Sequence, residues 1–152
     1  MLLSIVILIP VLGAWLPTAL SRALGVDPAR TAAALAATSL ALVLSQAPAV
    51  LAGATLVSGW SWIPAAGLNA TFRLDGFGLL FALLILGIGL LVILYARYYL
   101  SPEESKERFY GLLLLFMGAM LGVVLAENLL LLVTFWELTS LSSFLLIGFW
   151  RH

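Results

Sequence analysis

Five apolar runs of about 20 residues divide this 152-residue chain and leave little room for anything else. The hydrocarbon core of a bilayer is ~30 Å thick and a helix rises ~1.5 Å per residue, so runs of this length with few charges read as spanning helices. They cover about residues 2–20, 31–57, 75–98, 109–126 and 128–150. Pro10 and Pro17 fall inside the first run, and Pro48 is placed to bend the second or end it early. The longest interval between runs, Ser58 to Leu74, is too short to bury a core of its own. The sequence therefore predicts an all-α integral membrane protein, a single membrane domain over residues 1–152.

Composition excludes the alternatives. Hydrophobic residues make up 64% of the chain and charged residues 9%, against about a quarter charged in soluble domains. The net charge is zero, so no basic excess points to nucleic acid. Cysteine is absent, which rules out disulfides, thiolate metal sites and Cys-ligated clusters within this chain. No cofactor-binding or metal-ligating motif is present. Met1-Leu2-Leu3-Ser4 has no Lys or Arg, whereas a cleaved secretory signal starts with a positive region, so the first run is expected to be a retained helix.

Basic residues bias short loops toward the cytoplasm. Arg22, Arg30, Arg97, Lys106, Arg108 and Arg151 fall on one side of the five crossings, and Arg73 alone on the other. The amino terminus is thus expected to face outward and the end of the chain inward. On the outward side, Trp60 and Trp62 alternate with polar positions, Pro64 to Gly67 supplies turn residues, and Leu68, Ala70, Phe72 and Leu74 alternate again. That pattern predicts a short outward hairpin between the second and third helices. Its tryptophans suit a membrane-interface belt.

Several conspicuous residues have structural explanations. Ser101-Pro102-Glu103-Glu104 reads as a helix start with a capping box, and Glu104 is spaced i,i+4 from Arg108. Asp75 is placed to cap the third helix. Gly118 and Gly122 form a small-xxx-small step that lets a neighbouring backbone come close. Asn69-Ala70-Thr71 matches a glycosylation sequon, a short pattern relevant only to a eukaryotic secretory pathway. His152, the sole histidine, is assigned no role.

Glu137 is different. It lies in the otherwise uncharged stretch Asn128 to Trp150, nine residues beyond Asn128 and so roughly 14 Å below the outer end of its helix, near the bilayer midplane. A carboxyl group there costs roughly 2–4 kcal/mol on insertion scales, and an intramembrane acid is a functional-site candidate for that reason. Thr134 and Ser140 flank it at i−3 and i+3, giving a narrow polar stripe whose hydroxyls can hydrogen-bond the carboxyl or hold water. Thr139, Ser142 and Ser143 point elsewhere, toward backbone carbonyls or helix packing. Lys106 and Arg97 belong near the inner side, out of reach of the midplane. Either the carboxyl is neutral here or its cation belongs to polypeptide outside this chain.

At these residues a family resemblance emerges. Phe72-Arg73-Leu74-Asp75-Gly76-Phe77-Gly78-Leu79-Leu80-Phe81, Tyr95-Ala96-Arg97-Tyr98-Tyr99-Leu100, Arg108-Phe109-Tyr110 and the whole stretch from Asn128 through Thr134-Phe135-Trp136-Glu137-Leu138-Thr139-Ser140 to Trp150 resemble the large A subunit of Mrp-type multisubunit Na⁺(K⁺)/H⁺ antiporters. That subunit is itself similar to the antiporter-like subunits of respiratory complex I. The resemblance implies that Glu137 corresponds to a fifth-helix glutamate of the proton-transfer route, which in the family faces a lysine on a later, broken helix. It implies a core of about fourteen helices with two inverted repeats, of which this chain would be the amino-terminal portion, and so a truncated frame or a fragment that assembles with the remainder. It further implies a bacterial inner-membrane location, other antiporter subunits as partners, Na⁺ or K⁺ and protons as the transported ions, and no bound redox cofactor. Two rival expectations stand beside it: a proton-pumping subunit of complex I, and a membrane fragment with only a structural role.

Overall fold

The structure, a computed structural model, describes residues 2–25, 27–63, 68–99, 106–127 and 129–148; for 2, 4, 58–63 and 68–70 it describes the backbone alone. The expected capping box at Ser101 to Glu104, the turn Pro64 to Gly67, and His152 lie outside the described residues, as do the side chains of Trp60, Trp62 and Asn69. The elements are α1 (Leu2–Leu12), a 3-10 turn (Gly13–Trp15), α2 (Leu16–Leu24), α3 (Pro28–Leu51), β1 (Leu56–Ile63), β2 (Leu68–Leu74), α4 (Gly76–Tyr99), α5 (Lys106–Leu125) and α6 (Leu129–Ile147). Among the described residues five stretches are long and apolar enough to cross a membrane: Ile5–Leu24, formed by α1, the 3-10 turn and α2, then α3, α4, α5 and α6.

Two spans differ from the sequence expectation. The first is not one continuous α-helix and runs on to Leu24. Pro17 has no N–H to offer the preceding turn, so the ladder tightens there and the Leu16 N–H bonds to the Gly13 carbonyl three residues back. The second span begins at Pro28 and ends at Leu51 rather than Val57. Asp27 caps its start, with Oδ1 accepting from Ala29 N–H at 3.0 Å and proline at the first helical position. At the other end Pro48 is tolerated inside the last turn, and Leu56 and Val57 are claimed by the hairpin, paired with Leu74 and Arg73.

That hairpin is antiparallel, with Trp60 opposite Ala70 and a register shift between Ser61 and Ile63. Phe72 and Leu74 are buried and Arg73 is exposed, the period-two alternation of a half-buried strand. The far edge of β2 is also engaged: Phe72 bridges Ala126, and Glu127 N–H donates to the Thr71 carbonyl at 2.9 Å. The hairpin thus ties down the connection between α5 and α6. Asp75 caps α4 as its position suggests, with Oδ1 accepting from Gly78 N–H at 2.8 Å.

α5 is the most buried of the spans and touches α1, α2, α3, α4 and α6, whereas α6 is the least buried. The small residues on α5 serve separate neighbours. A Cβ on Gly118 would run into Val11 of α1, and one on Gly122 into the ring of Phe135 on α6. Apart from Glu137, the described charged side chains collect at the ends: Arg97 Nη2 at the end of α4 lies 3.6 Å from Asp27 Oδ2 at the start of α3, and Ser21 Oγ donates to Glu107 Oε1 at 3.5 Å.

Candidate functional site

α6 is built from good helix formers and β-branched or aromatic residues that suit an apolar environment, with three hydroxyls bonded back onto its own backbone. Thr134 Oγ1 donates to the Leu130 carbonyl at 2.9 Å, Thr139 Oγ1 to Phe135 at 2.6 Å, and Ser142 Oγ to Leu138 at 2.8 Å. Such back-bonding satisfies a hydroxyl that has no water to meet. Thr139 and Ser142 behave as their positions suggest. Thr134 spends its proton on the backbone rather than on a carboxylate, leaving its lone pairs free.

The rotation of α6 is visible in its contacts. Leu131 and Ser142 are buried, and the ring of Phe135 lies over Gly122 with its centroid 5.9 Å from that of Phe72, at an interplanar angle of 59°. Glu137 follows Phe135 by two residues, about 200° around the helix. It therefore points away from α5 and is exposed, near the middle of α6, with Thr134 and Ser140 on the same exposed side. Among the described residues no cation reaches it: the ion pairs are Arg73 with Asp75 and Arg97 with Asp27, both at helix ends. Ser140 also edges a cleft of about 400 Å³ between α5 and α6, lined further by Phe116, Met120, Trp136, Thr139 and Ser143. Among the described residues no three acidic or histidine side chains gather as a metal site.

Chemically, the arrangement is an acid on the open face of an apolar helix. It can exchange a proton, and it can pair with a cation carried by whatever polypeptide lies against that face. Sequence reasoning placed Phe72 only in the alternation of the hairpin and did not single out Phe135 or the Asp27–Arg97 pair. An apolar residue among apolar residues gives no local signal, and a pair 70 positions apart shows only once α3 and α4 lie side by side.

Residues 62–110 match the family described as NADH-Ubiquinone oxidoreductase (complex I), chain 5 N-terminus. The chain is 57% identical over 105 residues to the A/B subunit of a probable K(+)/H(+) antiporter of Rhizobium meliloti, a match covering 69% of this chain and 10% of the relative. It is 58% identical over 102 residues to the A1 subunit of a Na(+)/H(+) antiporter of Staphylococcus aureus, covering 67% of this chain and 13% of the relative. Among solved structures, the Mrp complex of a Dietzia species superposes with a TM-score of 0.82 at 32% identity, over 97% of this chain and 16% of that one. The archaeal membrane-bound sulfane sulfur reductase superposes equally well, at 0.82, over 100% of this chain and 23% of that one, but at 22% identity it speaks for the fold alone. The chain thus spans about a tenth to an eighth of the length of these curated relatives. It belongs to the family of large A subunits of Mrp-type Na⁺(K⁺)/H⁺ antiporters and corresponds to their amino-terminal part.

Proposed function

We propose that this chain forms part of the large subunit of a monovalent cation/proton antiporter and that Glu137 belongs to its proton-transfer path. The observation that carries the reading is the placement of Glu137: a carboxyl on the exposed face of an apolar spanning helix, with no cation among the described residues to neutralise it. An acid left so in hydrocarbon costs several kcal/mol unless another segment completes its surroundings. The relatives named as Na⁺/H⁺ and K⁺/H⁺ antiporter subunits supply the class of reaction. In that reading protons moving down their gradient drive Na⁺ or K⁺ outward. Glu137 takes up and releases the proton, and a basic residue on later helices of the same polypeptide shifts its affinity. Thr134 and Ser140 support the carboxyl or the water beside it. Further antiporter subunits and the bilayer of a bacterial inner membrane complete the assembly, with the hairpin outward and the Arg97 end inward.

The family description of residues 62–110 favours a second reading, a proton-pumping subunit of complex I, in which the same acid works but the driving force is electron transfer. One experiment separates them. In inverted vesicles containing the full complex, Na⁺- or K⁺-dependent collapse of a proton gradient without any electron donor supports the antiporter. Proton uptake that requires an electron donor supports the pump. Glu137→Ala is expected to abolish the activity while the complex still assembles, and wild-type exchange in that variant would remove Glu137 from the path.

A further inference from the structure

Apolar residues lie almost evenly around α6, so burial of an apolar stripe does not decide which way the helix is turned. The turn matters, because rotation by one residue position, about 100°, would carry Glu137 off its present face. α6 packs chiefly on α5, so its rotation is set at that one extensive interface. One closely fitted contact there is Phe135, whose ring fills the space that the missing side chain of Gly122 leaves open.

Behind that ring stands Phe72 of the hairpin, 4% exposed, in a tilted aromatic pair with Phe135. Phe72 is itself held on both sides. β2 pairs with β1 along one edge, and along the other Phe72 bridges Ala126 while the Thr71 carbonyl accepts from Glu127 N–H. Ala126 and Glu127 are the residues that lead into α6. The hairpin therefore grips α6 twice, at the backbone where the helix is about to start and at the ring that keys its rotation.

We propose that Phe72, Phe135 and Gly122 are positioning residues for Glu137: the outward hairpin, acting through Phe72 on Phe135, sets the rotation of α6 and hence the direction in which the carboxyl is presented. This inference rests on the reading that Glu137 transfers protons. It gives the hairpin a mechanical role in the reaction, since anything that shifts β2 shifts the aim of an acid inside the membrane.

The test uses the complete complex in vesicles with Phe72→Ala, Gly122→Ala and, as a control, Gly118→Ala, whose clash falls on α1 and not on α6. Two quantities are read per assembled complex: cation/proton exchange, and the infrared carboxyl signal of Glu137, assigned by its loss in Glu137→Gln. Phe72→Ala and Gly122→Ala are expected to slow exchange roughly tenfold or more, as misplacement of a reacting group by about 1 Å does, and to shift the carboxyl signal. Gly118→Ala is expected to lower the yield of complex but to leave both quantities unchanged in what assembles. If Phe72→Ala does not assemble, Phe72→Leu, which keeps much of the volume and loses the ring, replaces it. Normal exchange with an unshifted signal in the Phe72 and Gly122 variants would overturn the proposal, as would the same loss in Gly118→Ala. Normal exchange in Glu137→Gln would instead remove the glutamate from the path, and the signal shift would then still report whether the hairpin aims it.

Discussion

The hydroxyl of Ser39 on α3 donates to the carbonyl of Val6 on α1 at 2.9 Å, and both are buried. Four residues beyond Val6 stands Pro10, which has no N–H, so this carbonyl lacks its ordinary helical donor. A serine from a neighbouring helix supplies the missing hydrogen bond in a place where no water can. Ser39→Ala is therefore expected to destabilise the helical bundle by about 1–2 kcal/mol, since it strands a buried acceptor. Ser39→Ala combined with Pro10→Ala should recover most of that loss, because the helix then satisfies Val6 itself. Thermal or denaturant unfolding of the purified protein in detergent measures both, and equal losses in the single and double variants would refute the coupling.

Asp27 does two jobs where α3 begins and α4 ends, capping α3 through Ala29 N–H and lying 3.6 Å from Arg97. The side chains of this pair are 35% and 42% exposed, and so half-solvated a pair contributes under about 1 kcal/mol. The cap is worth about 1 kcal/mol more. Asp27→Asn, which keeps the capping oxygen, is expected to be nearly as stable as the parent, and Asp27→Ala clearly less stable. If both variants lose the same stability in an unfolding titration, the cap is not what Asp27 contributes.

With no cation beside it among the described residues, Glu137 weakens the preference of its own helix for the bilayer. In a membrane-insertion assay of the segment 129–147, Glu137→Leu is expected to improve the apparent insertion free energy by about 3 kcal/mol. The same change in the complete complex should eliminate cation/proton exchange. Stability and function are thus expected to move in opposite directions at one position, and an unchanged insertion energy would mean that the acid is not lodged in hydrocarbon.

The sequence contains no cysteine, so single cysteines report the side of the membrane cleanly. Thr55→Cys, beside the hairpin, is expected to react with a membrane-impermeant thiol reagent in intact cells. Arg108→Cys, at the start of α5, should react only after the membrane is opened. The reverse pattern would invert the orientation drawn from the excess of Arg and Lys at one end.

Much of this architecture is legible in the sequence because its causes are local. A run of apolar residues long enough to cross a bilayer has few alternatives to a helix, which is why five spans and the alternating hairpin can be read directly from the chain. The cap at Asp75 is legible for the same reason: it needs only its own first turn. The placement of Glu137 within an uncharged stretch is likewise a property of sequence alone.

What the chain could not reveal by itself were where the helices break and how they pair; Pro48 signalled that the second span would bend or end early, but not at which residue. The 3-10 turn at Gly13–Trp15 and the early end of α3 at Leu51 come from competition, between proline and the helical ladder in one case and between helix and strand for Leu56 and Val57 in the other. Gly118 and Gly122 read as one packing step, yet face different helices. Which face of α6 turns to α5 is hidden for a related reason: where every side of a helix is apolar, hydrophobicity sets only that it spans, and the fit of one ring into one gap sets how it is turned. Sequence determined that an acid lies within a membrane helix; tertiary packing decided the direction it faces, because direction depends on shape complementarity between residues far apart in the chain.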